Sequence, residues 1–263
     1  MDTREIPPAD GIDGTVATTA LTTFRVVEAL KRDGPSGVSD LAAELDLAKG
    51  TVHKHLSTLQ AVDYVVREGD TYRLGLGFLG LGSAVRARME VYEVAYEPLQ
   101  SLAGATEETA SVMIPEHGYG VYLLRTNPEG DPWTDLREGD RVPLHATAGG
   151  KAILAYMDSG QREAVLDRRG LPALTDNTTT DRAELEAELR TVHDKRMAHD
   201  RGELDPDRHC VAAPVTGGDD DAVAAVTVSG PAERMRRKSV DADFSSIVAS
   251  TANSIRNRLS TTP

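Results

Sequence analysis

The spacing of apolar residues predicts a helical first quarter of the chain. Residues 15–33, 38–46 and 49–61 each carry apolar side chains at intervals of three and four, the repeat of an amphipathic helix. A break of about three residues joins the second helix to the third, as in a helix-turn-helix. The third helix is predicted to bury Val52, Leu56 and Leu59.

Two short strands after the third helix complete a predicted winged helix. Residues 64–67 and 71–74 favour strand, and the turn between them contains Gly69, which suits a hairpin. The first residues of such a third helix usually reach base edges, while others contact phosphate. The candidate DNA contacts are Lys49, Gly50, Thr51, His53, Lys54 and, in the wing, Arg73. The alternative is a solvated helix face in a winged helix that binds protein.

Residues 77–104 are predicted to form linker helices that also mediate dimerisation. The apolar residues expected at the dimer contact are Phe78, Leu79, Leu81 and Val85. The spacing Gly75-x-Gly77-x-x-Gly80 matches a dinucleotide-binding loop. That interpretation fails, because the strand before it belongs to the wing and no second strand follows at the distance that a βαβ unit needs.

From about residue 105 the pattern mixes strands with helices, which predicts an α/β domain. The predicted strands are residues 109–115, 120–125, 209–216 and 222–229. The predicted helices are residues 146–157, 161–168, 182–196 and 237–259.

Because the whole chain is acidic, nucleic-acid binding has to be judged from its local charge. The formal net charge is −13, and only 6 of the 29 basic residues are lysine. Such an Asp-rich, Lys-poor composition is typical of a salt-rich, haloarchaeal cytoplasm, so local charge is more informative than global charge. No acid lies between Asp46 and Asp63, where the average composition would place about 2.6. This window holds Lys49, His53, Lys54 and His55 and predicts a weak, salt-sensitive attraction to phosphate that dimeric binding would reinforce.

Composition also excludes several classes of protein. A single cysteine rules out a disulfide framework and disfavours a cysteine-based zinc site. No stretch approaches the ~18 apolar residues of a membrane span, and the acidic N-terminus lacks the apolar core of a signal peptide. We therefore expect a cytoplasmic protein with a disordered tail over residues 1–14, no membrane partner and no cofactor.

Two places in the second half could hold a small molecule. Thr227 and Ser229 alternate with valines on one strand, so both hydroxyls point to the same face. If buried, they need partners, which could be a ligand carboxylate, each other or water. Ala148 and Gly149 would open a helix whose free N–H groups attract anions. Residues 145–152 do not match a phosphate-binding loop, because His145 replaces its first glycine and Ala152 replaces its final Ser or Thr. Lys151 is instead expected to be an interior or interface contact.

The residues around Cys210 predict neither a nucleophile nor a metal site. His209 is adjacent on a strand and points to the opposite face, so it cannot easily activate the thiol. The spacing of His193, His199 and His209 matches no compact set of metal ligands. The sequence therefore offers no convergent set of acid, base and nucleophile.

Five segments, in order, resemble the IclR family of transcriptional regulators. They are residues 51–59 (TVHKHLSTL), 72–75 (YRLG), 144–155 (LHATAGGKAILA), 210–215 (CVAAPV) and 226–231 (VTVSGP). The similarity runs from about residue 15 to residue 260. The chain departs from the family pattern at Gly50, where Ser or Thr is common, and at Asp63, where a glycine usually ends the helix. It also has Arg196-Met197 in place of a common Gly-Tyr.

The resemblance implies an α+β protein in three parts: a winged helix-turn-helix (15–76), linker helices (77–104) and a GAF-like α/β effector-binding domain (105–263). It implies a non-catalytic regulator that binds a double-stranded DNA operator as a homodimer or dimer of dimers and senses a small organic acid. The effector-binding residues that it carries over are Ala148, Gly149, Asp200, Cys210, Thr227 and Ser229. The rival interpretations are a GAF-like sensor that acts through protein contacts and an α/β enzyme with a helical appendage.

Overall fold

The computed structural model describes residue 6 and residues 14–127, 136–218, 221–238 and 242–260. The described chain forms two compact units, which meet in the sequence at Arg88 and Met89. The predicted tail over residues 1–14 lies outside the described residues, except for Ile6 and Gly14.

The N-terminal unit is a winged helix-turn-helix followed by one more helix. Its elements are α1 (Thr18–Asp33), β1 (Ser36–Gly37), α2 (Val38–Glu44), α3 (Lys49–Ala61), β2 (Val65–Glu68), β3 (Thr71–Leu74) and α4 (Gly77–Arg86). The strands pair antiparallel in the order β1-β3-β2, so β2 and β3 form the predicted hairpin.

The three helices of the winged helix pack together because their apolar stripes face one core. Val52 and Leu56 of α3 are fully buried with Leu41 of α2 and Val26 of α1. After α3 the chain turns through Asp63 at a φ of 64°. Asp adopts this left-handed conformation more easily than most residues, which explains why it can replace the usual glycine.

Helix α4 leaves most of its apolar side chains in solvent. Leu79, Leu81 and Val85 are each more than half exposed. Phe78 differs from the prediction, because its ring packs on Tyr64 with the ring centroids 4.9 Å apart and joins the core of its own unit. The predicted dimer contact is therefore reduced to the three exposed residues.

The C-terminal unit is built on one antiparallel sheet of six strands in the order β6-β5-β4-β9-β8-β7. The strands are β4 (Thr109–Glu116), β5 (Tyr119–Thr126), β6 (Arg141–Pro143), β7 (Ala198–Arg201), β8 (Arg208–Thr216) and β9 (Ala222–Pro231). The helices are α5 (Glu90–Thr106), α6 (Ala148–Tyr156), α7 (Ser159–Arg169), α8 (Arg182–Lys195), α9 (Ala232–Lys238) and α10 (Ala242–Leu259). The sequence did not predict β6, β7 or a separate α9.

Each face of this sheet is covered by helices. Helices α5 and α10 bury one face, where Val226 and Val228 are fully buried. Helix α6 buries the other face, with every one of its residues buried, and α8 packs against α6. Gly150 makes this packing possible, because a Cβ at that position would overlap the carbonyl oxygen of Leu144.

Candidate functional site

A row of polar residues crosses the sheet on the face opposite α5 and α10. Residues paired across neighbouring strands point to the same face. Asp200 on β7 pairs with Cys210 on β8, which pairs with Ser229 on β9. One step further along this face, Ser111 on β4 pairs with Arg125 on β5. The topology thus brings together groups from five strands.

All of these groups except Ser111 line a cavity of about 260 Å³. The polar residues of its wall include Arg125, Asp200, Arg208, Cys210 and Ser229. The apolar residues include Leu136, Leu174, Leu204 and Pro206. Pockets for drug-sized ligands measure roughly 300 to 1,000 Å³, so this cavity suits a smaller molecule with both a charged and an apolar part.

Two arginines of the cavity wall were not predicted from the sequence. Arg208 donates through Nη2 to Ser229 Oγ at 3.2 Å. Arg125 donates through Nη1 to Ser111 Oγ at 3.4 Å, and its guanidinium carbon lies 4.7 Å from the ring centre of Tyr122. The Nε of Arg125 is buried and has no hydrogen-bond partner among the described residues. A buried donor of this kind is normally satisfied, which favours a ligand oxygen as its partner.

The strand repeat was the signal that could have found Arg208. It lies two residues before Cys210 on the same strand, so both side chains point to one face. Arg125 carried no comparable signal, because the face on which it lies depends on which strands are neighbours.

Asp200 is the buried carboxyl of the wall. Its side chain is 2% exposed, and its Oδ1 accepts the N–H of Glu203 at 2.7 Å. Burial raises the pKa of Asp200 to about 7, and the hydrogen bond from the Glu203 backbone only partly opposes this effect. A carboxyl that is partly protonated near neutral pH can donate a hydrogen bond to a ligand oxygen as well as accept one.

A fully buried lysine holds the loop behind Asp200. Lys151 donates through Nζ to Glu203 Oε1 at 2.5 Å and to Glu188 Oε1 at 2.7 Å. Thr178 donates to the carbonyl oxygen of Glu203 at 2.7 Å. Lys151 is therefore an interior contact, as expected, and it positions the loop that supplies Leu204 to the cavity.

Cys210 has the environment of an inert wall residue. Burial, aided by the nearby Asp200, raises the pKa of its thiol. His209 pairs with Gly230 and points to the opposite face of the sheet. The thiol therefore stays protonated, and His209 cannot activate it.

Neither a metal centre nor a membrane span is found in the described part of the chain. Within residues 14–127, 136–218, 221–238 and 242–260, no three or more His, Cys, Asp and Glu side chains are grouped to hold a metal ion. No helix of these same ranges is long and apolar enough to cross a bilayer.

The structure separates the six predicted effector-binding residues into two groups. Asp200, Cys210 and Ser229 line the cavity. Ala148, Gly149 and Thr227 lie outside its lining, at the contact between α6 and β9. There a Cβ on Gly149 would lie 2.8 Å from the methyl carbon of Thr227. The start of α6 is also capped, since Thr147 Oγ1 accepts the N–H of Gly150 at 3.0 Å.

The predicted DNA contacts of the N-terminal unit share one side of α3. Lys49, Gly50, His53 and Lys54 are exposed, and Thr51 is half-buried at the edge of this face. Arg73 of the wing donates through Nε to Glu68 Oε1 at 2.7 Å. It would have to exchange this exposed ion pair for a phosphate in order to contact DNA.

His55 does not contribute to the positive charge of this face. It is buried, and its Nδ1 lies 2.9 Å from Thr23 Oγ1. Burial and, to a smaller extent, Lys54 lower the pKa of His55. The basic side chains of the acid-free window that are exposed on this face are therefore Lys49, His53 and Lys54.

Two family models match this chain. The model of the bacterial transcriptional regulator IclR C-terminal domain matches residues 83–257, and that of the IclR helix-turn-helix domain matches residues 21–69. ArcR of Halobacterium salinarum, described as a probable HTH-type transcriptional regulator, is 30% identical over 250 residues, which cover 93% of this chain and 94% of ArcR. The HTH-type transcriptional repressor AllR of Escherichia coli is 28% identical over 207 residues, covering 78% and 76% of the two chains.

Solved structures of similar proteins share the fold. Thermotoga maritima IclR is 26% identical, with a TM-score of 0.74 over 92% of this chain and 98% of that one. An IclR homologue from Microbacterium hydrocarbonoxydans, complexed with 4-hydroxybenzoate, has a TM-score of 0.77 over 93% of this chain and 100% of that one. At 22% identity the second likeness concerns the fold alone. The matching families and relatives are transcriptional regulators rather than enzymes.

Proposed function

Because this chain belongs to the IclR family of transcriptional regulators, we propose that its ligand-binding C-terminal unit senses a small organic acid in the cavity between Arg125 and Arg208. The observation that carries this proposal is the pair of guanidinium groups in the wall, one with a buried Nε that has no partner among the described residues. Guanidinium groups bind carboxylates with strong, directional hydrogen bonds.

The rest of the wall suits the remainder of such a molecule. Protonated Asp200 can donate to an oxo or hydroxyl oxygen, and Ser229 and Cys210 lie next to it in register. Leu136, Leu174, Leu204 and Pro206 offer an apolar surface to the body of the ligand. Ala148, Gly149 and Thr227 then support the wall from the α6–β9 contact.

The test compares acids with their neutral amides. Thermal unfolding and calorimetry of the full chain in molar KCl would use 4-hydroxybenzoate, pyruvate and acetate, each beside its amide. We expect acids to bind and amides to bind far more weakly. Arg208→Gln should weaken acid binding by roughly 10- to 150-fold, since a hydrogen bond to a charged group contributes about 1.5–3 kcal/mol.

Arg236→Gln is the matched control, because Arg236 is exposed on α9 and bonds Glu233 of the same helix. It should bind the acids as the wild type does. Equal binding of acid and amide by the wild type, or binding of none of the three acids, would contradict the proposal.

We also propose that the exposed face of α3 contacts a double-stranded DNA operator through Lys49, Gly50, Thr51, His53 and Lys54, with Arg73 near the phosphate backbone. Two lysines per copy contribute only a small electrostatic attraction to DNA. Each phosphate contact changes the slope of the logarithm of the binding constant against the logarithm of the salt concentration by only about 0.9. This favours binding by a homodimer or a dimer of dimers. Such a regulator works in the cytoplasm, where the DNA is.

Helix α4 is the surface that we assign to dimer formation. It has ten residues and none of them is buried. Isolated helices shorter than ~12–15 residues are marginal in water, and Leu79, Leu81 and Val85 expose apolar surface. A second copy of α4 would bury these side chains and stabilise the helix.

A further inference from the structure

We propose that Glu108, with the two cations that hold it, transmits occupancy of the cavity to helix α5. This inference rests on the proposed function, since it needs a ligand in the cavity. The three residues Glu108, Arg234 and Lys238 are called the Glu108 cluster below.

The Glu108 cluster joins one buried carboxylate to two cations of α9. Glu108 is fully buried between the end of α5 and the start of β4. Its Oε1 accepts Arg234 Nε at 2.5 Å and Lys238 Nζ at 2.8 Å, and its Oε2 accepts Arg234 Nη2 at 2.7 Å. Removing one partner from a buried ion pair leaves an uncompensated charge. The carboxylate and its two cations on α9 are therefore expected to move together.

The strand β9 connects the cavity to this cluster directly. Ser229 lines the cavity, and the next residue, Gly230, lies against the Glu108 carboxylate. A Cβ at position 230 would overlap Glu108 Oε2, so no free space separates the strand from the cluster. A ligand that displaces Ser229 also displaces the backbone that touches Glu108.

The strand β8 makes a second connection. Arg208 lines the cavity and pairs in register with Pro231 at the end of β9. Its neighbour Asp207 accepts, through its carbonyl oxygen, the N–H of Ala232 at 2.9 Å. Ala232 is the first residue of α9, so the start of this helix is attached to the residue beside a cavity cation.

The Glu108 cluster contacts the last turn of α5. Lys238 Nζ donates to the carbonyl oxygen of Thr106 at 2.5 Å. Helix α5 has 17 residues, which corresponds to about 25 Å, and it begins at Glu90, directly after the position where the two units meet in the sequence. A shift of α9 therefore acts on α5, the first helix of the C-terminal unit, which the chain enters directly from the N-terminal unit.

Hydrogen exchange of the full-length protein tests this route. The probes are 4-hydroxybenzoate, pyruvate and acetate, each compared with the ligand-free protein. In the wild type we expect a probe that binds to protect both the amides of β8 and those of the last turn of α5. In Lys238→Met and in Arg234→Gln, the β8 protection should stay within about twofold of the wild type, while the α5 response should fall several-fold.

Arg236→Gln is again the matched control, because it removes the same charge from the same short helix and Arg236 bonds Glu233 of that helix. It should keep both responses. Glu108→Gln is the most direct variant. If that protein fails to fold, the test still rests on the variants of Arg234 and Lys238, whose side chains are partly exposed and therefore tolerate substitution better.

The outcomes separate the two proposals. An α5 response that persists in the cation variants, or one that is absent in a wild type whose β8 is protected, overturns the role of the Glu108 cluster alone. Loss of β8 protection together with the α5 response in those variants also overturns it, because the cluster is then only structural. A wild type in which no probe protects β8 overturns the proposed function, and this inference with it.

Discussion

Replacing Asp200 by Asn should change how the stability of this protein depends on pH. Burial raises the pKa of Asp200 from its ordinary value of 3.8 to about 7. Above pH 7 the folded protein holds an ionised, buried carboxylate that the unfolded chain accommodates in water. Between about pH 4 and pH 7 the folded state binds more protons than the unfolded state, so the stability contributed by this group is lost as the pH rises.

The magnitude follows from the size of the shift. A difference of about three pKa units at 1.36 kcal/mol each corresponds to roughly 4 kcal/mol at alkaline pH, and most of it develops above pH 5. An Asn side chain keeps an oxygen that can accept the N–H of Glu203 but cannot ionise. The unfolding free energy of Asp200→Asn relative to the wild type should therefore rise by roughly 2–3 kcal/mol between pH 5 and pH 8.

Urea unfolding followed by circular dichroism at pH 5, 6, 7 and 8 measures this difference. Burial also raises the pKa of Glu203, but that residue is present in both proteins and largely cancels. Asp207→Asn is the matched control, because Asp207 is exposed on the loop that follows β7, and its curve should parallel that of the wild type. If Asp200→Asn also parallels the wild type from pH 5 to pH 8, the carboxyl does not titrate near neutrality and the reasoning is refuted.

Two further predictions concern the N-terminal unit. Changing Lys49 and Lys54 to Ala should weaken DNA binding and reduce the salt dependence of the binding constant, as a log–log slope, by about two per copy. Fluorescence anisotropy across KCl concentrations measures this slope. An unchanged slope would show that these lysines do not contact phosphate. Changing Leu79 and Val85 to Ser should lower the mass measured by light scattering, whereas Phe24→Ser, which alters another exposed apolar residue, should not. A mass that stays the same in the first variant would exclude α4 as the dimer contact.

Local pattern was sufficient for the winged helix. The predicted third helix, residues 49–61, has the same bounds in the structure, because its helical repeat and its buried stripe are both local properties of the sequence. The hairpin followed from the glycine-containing turn for the same reason. Local pattern failed for β7, because Ala198–Arg201 contains a single apolar residue and becomes a strand only by pairing with β8.

The sequence by itself determined the family, the fold class and three residues of the cavity wall, Asp200, Cys210 and Ser229. Alternation placed Thr227 and Ser229 on one face, and the resemblance selected Asp200 and Cys210. Only the tertiary structure decided that Arg125 joins Arg208 there, because the strand order places side by side residues that are distant along the chain. The pKa of Asp200, the burial of His55 and the contacts of Glu108 were decided in the same way. Desolvation and ion pairing depend on what surrounds a group in space, and no local spacing of residues encodes that.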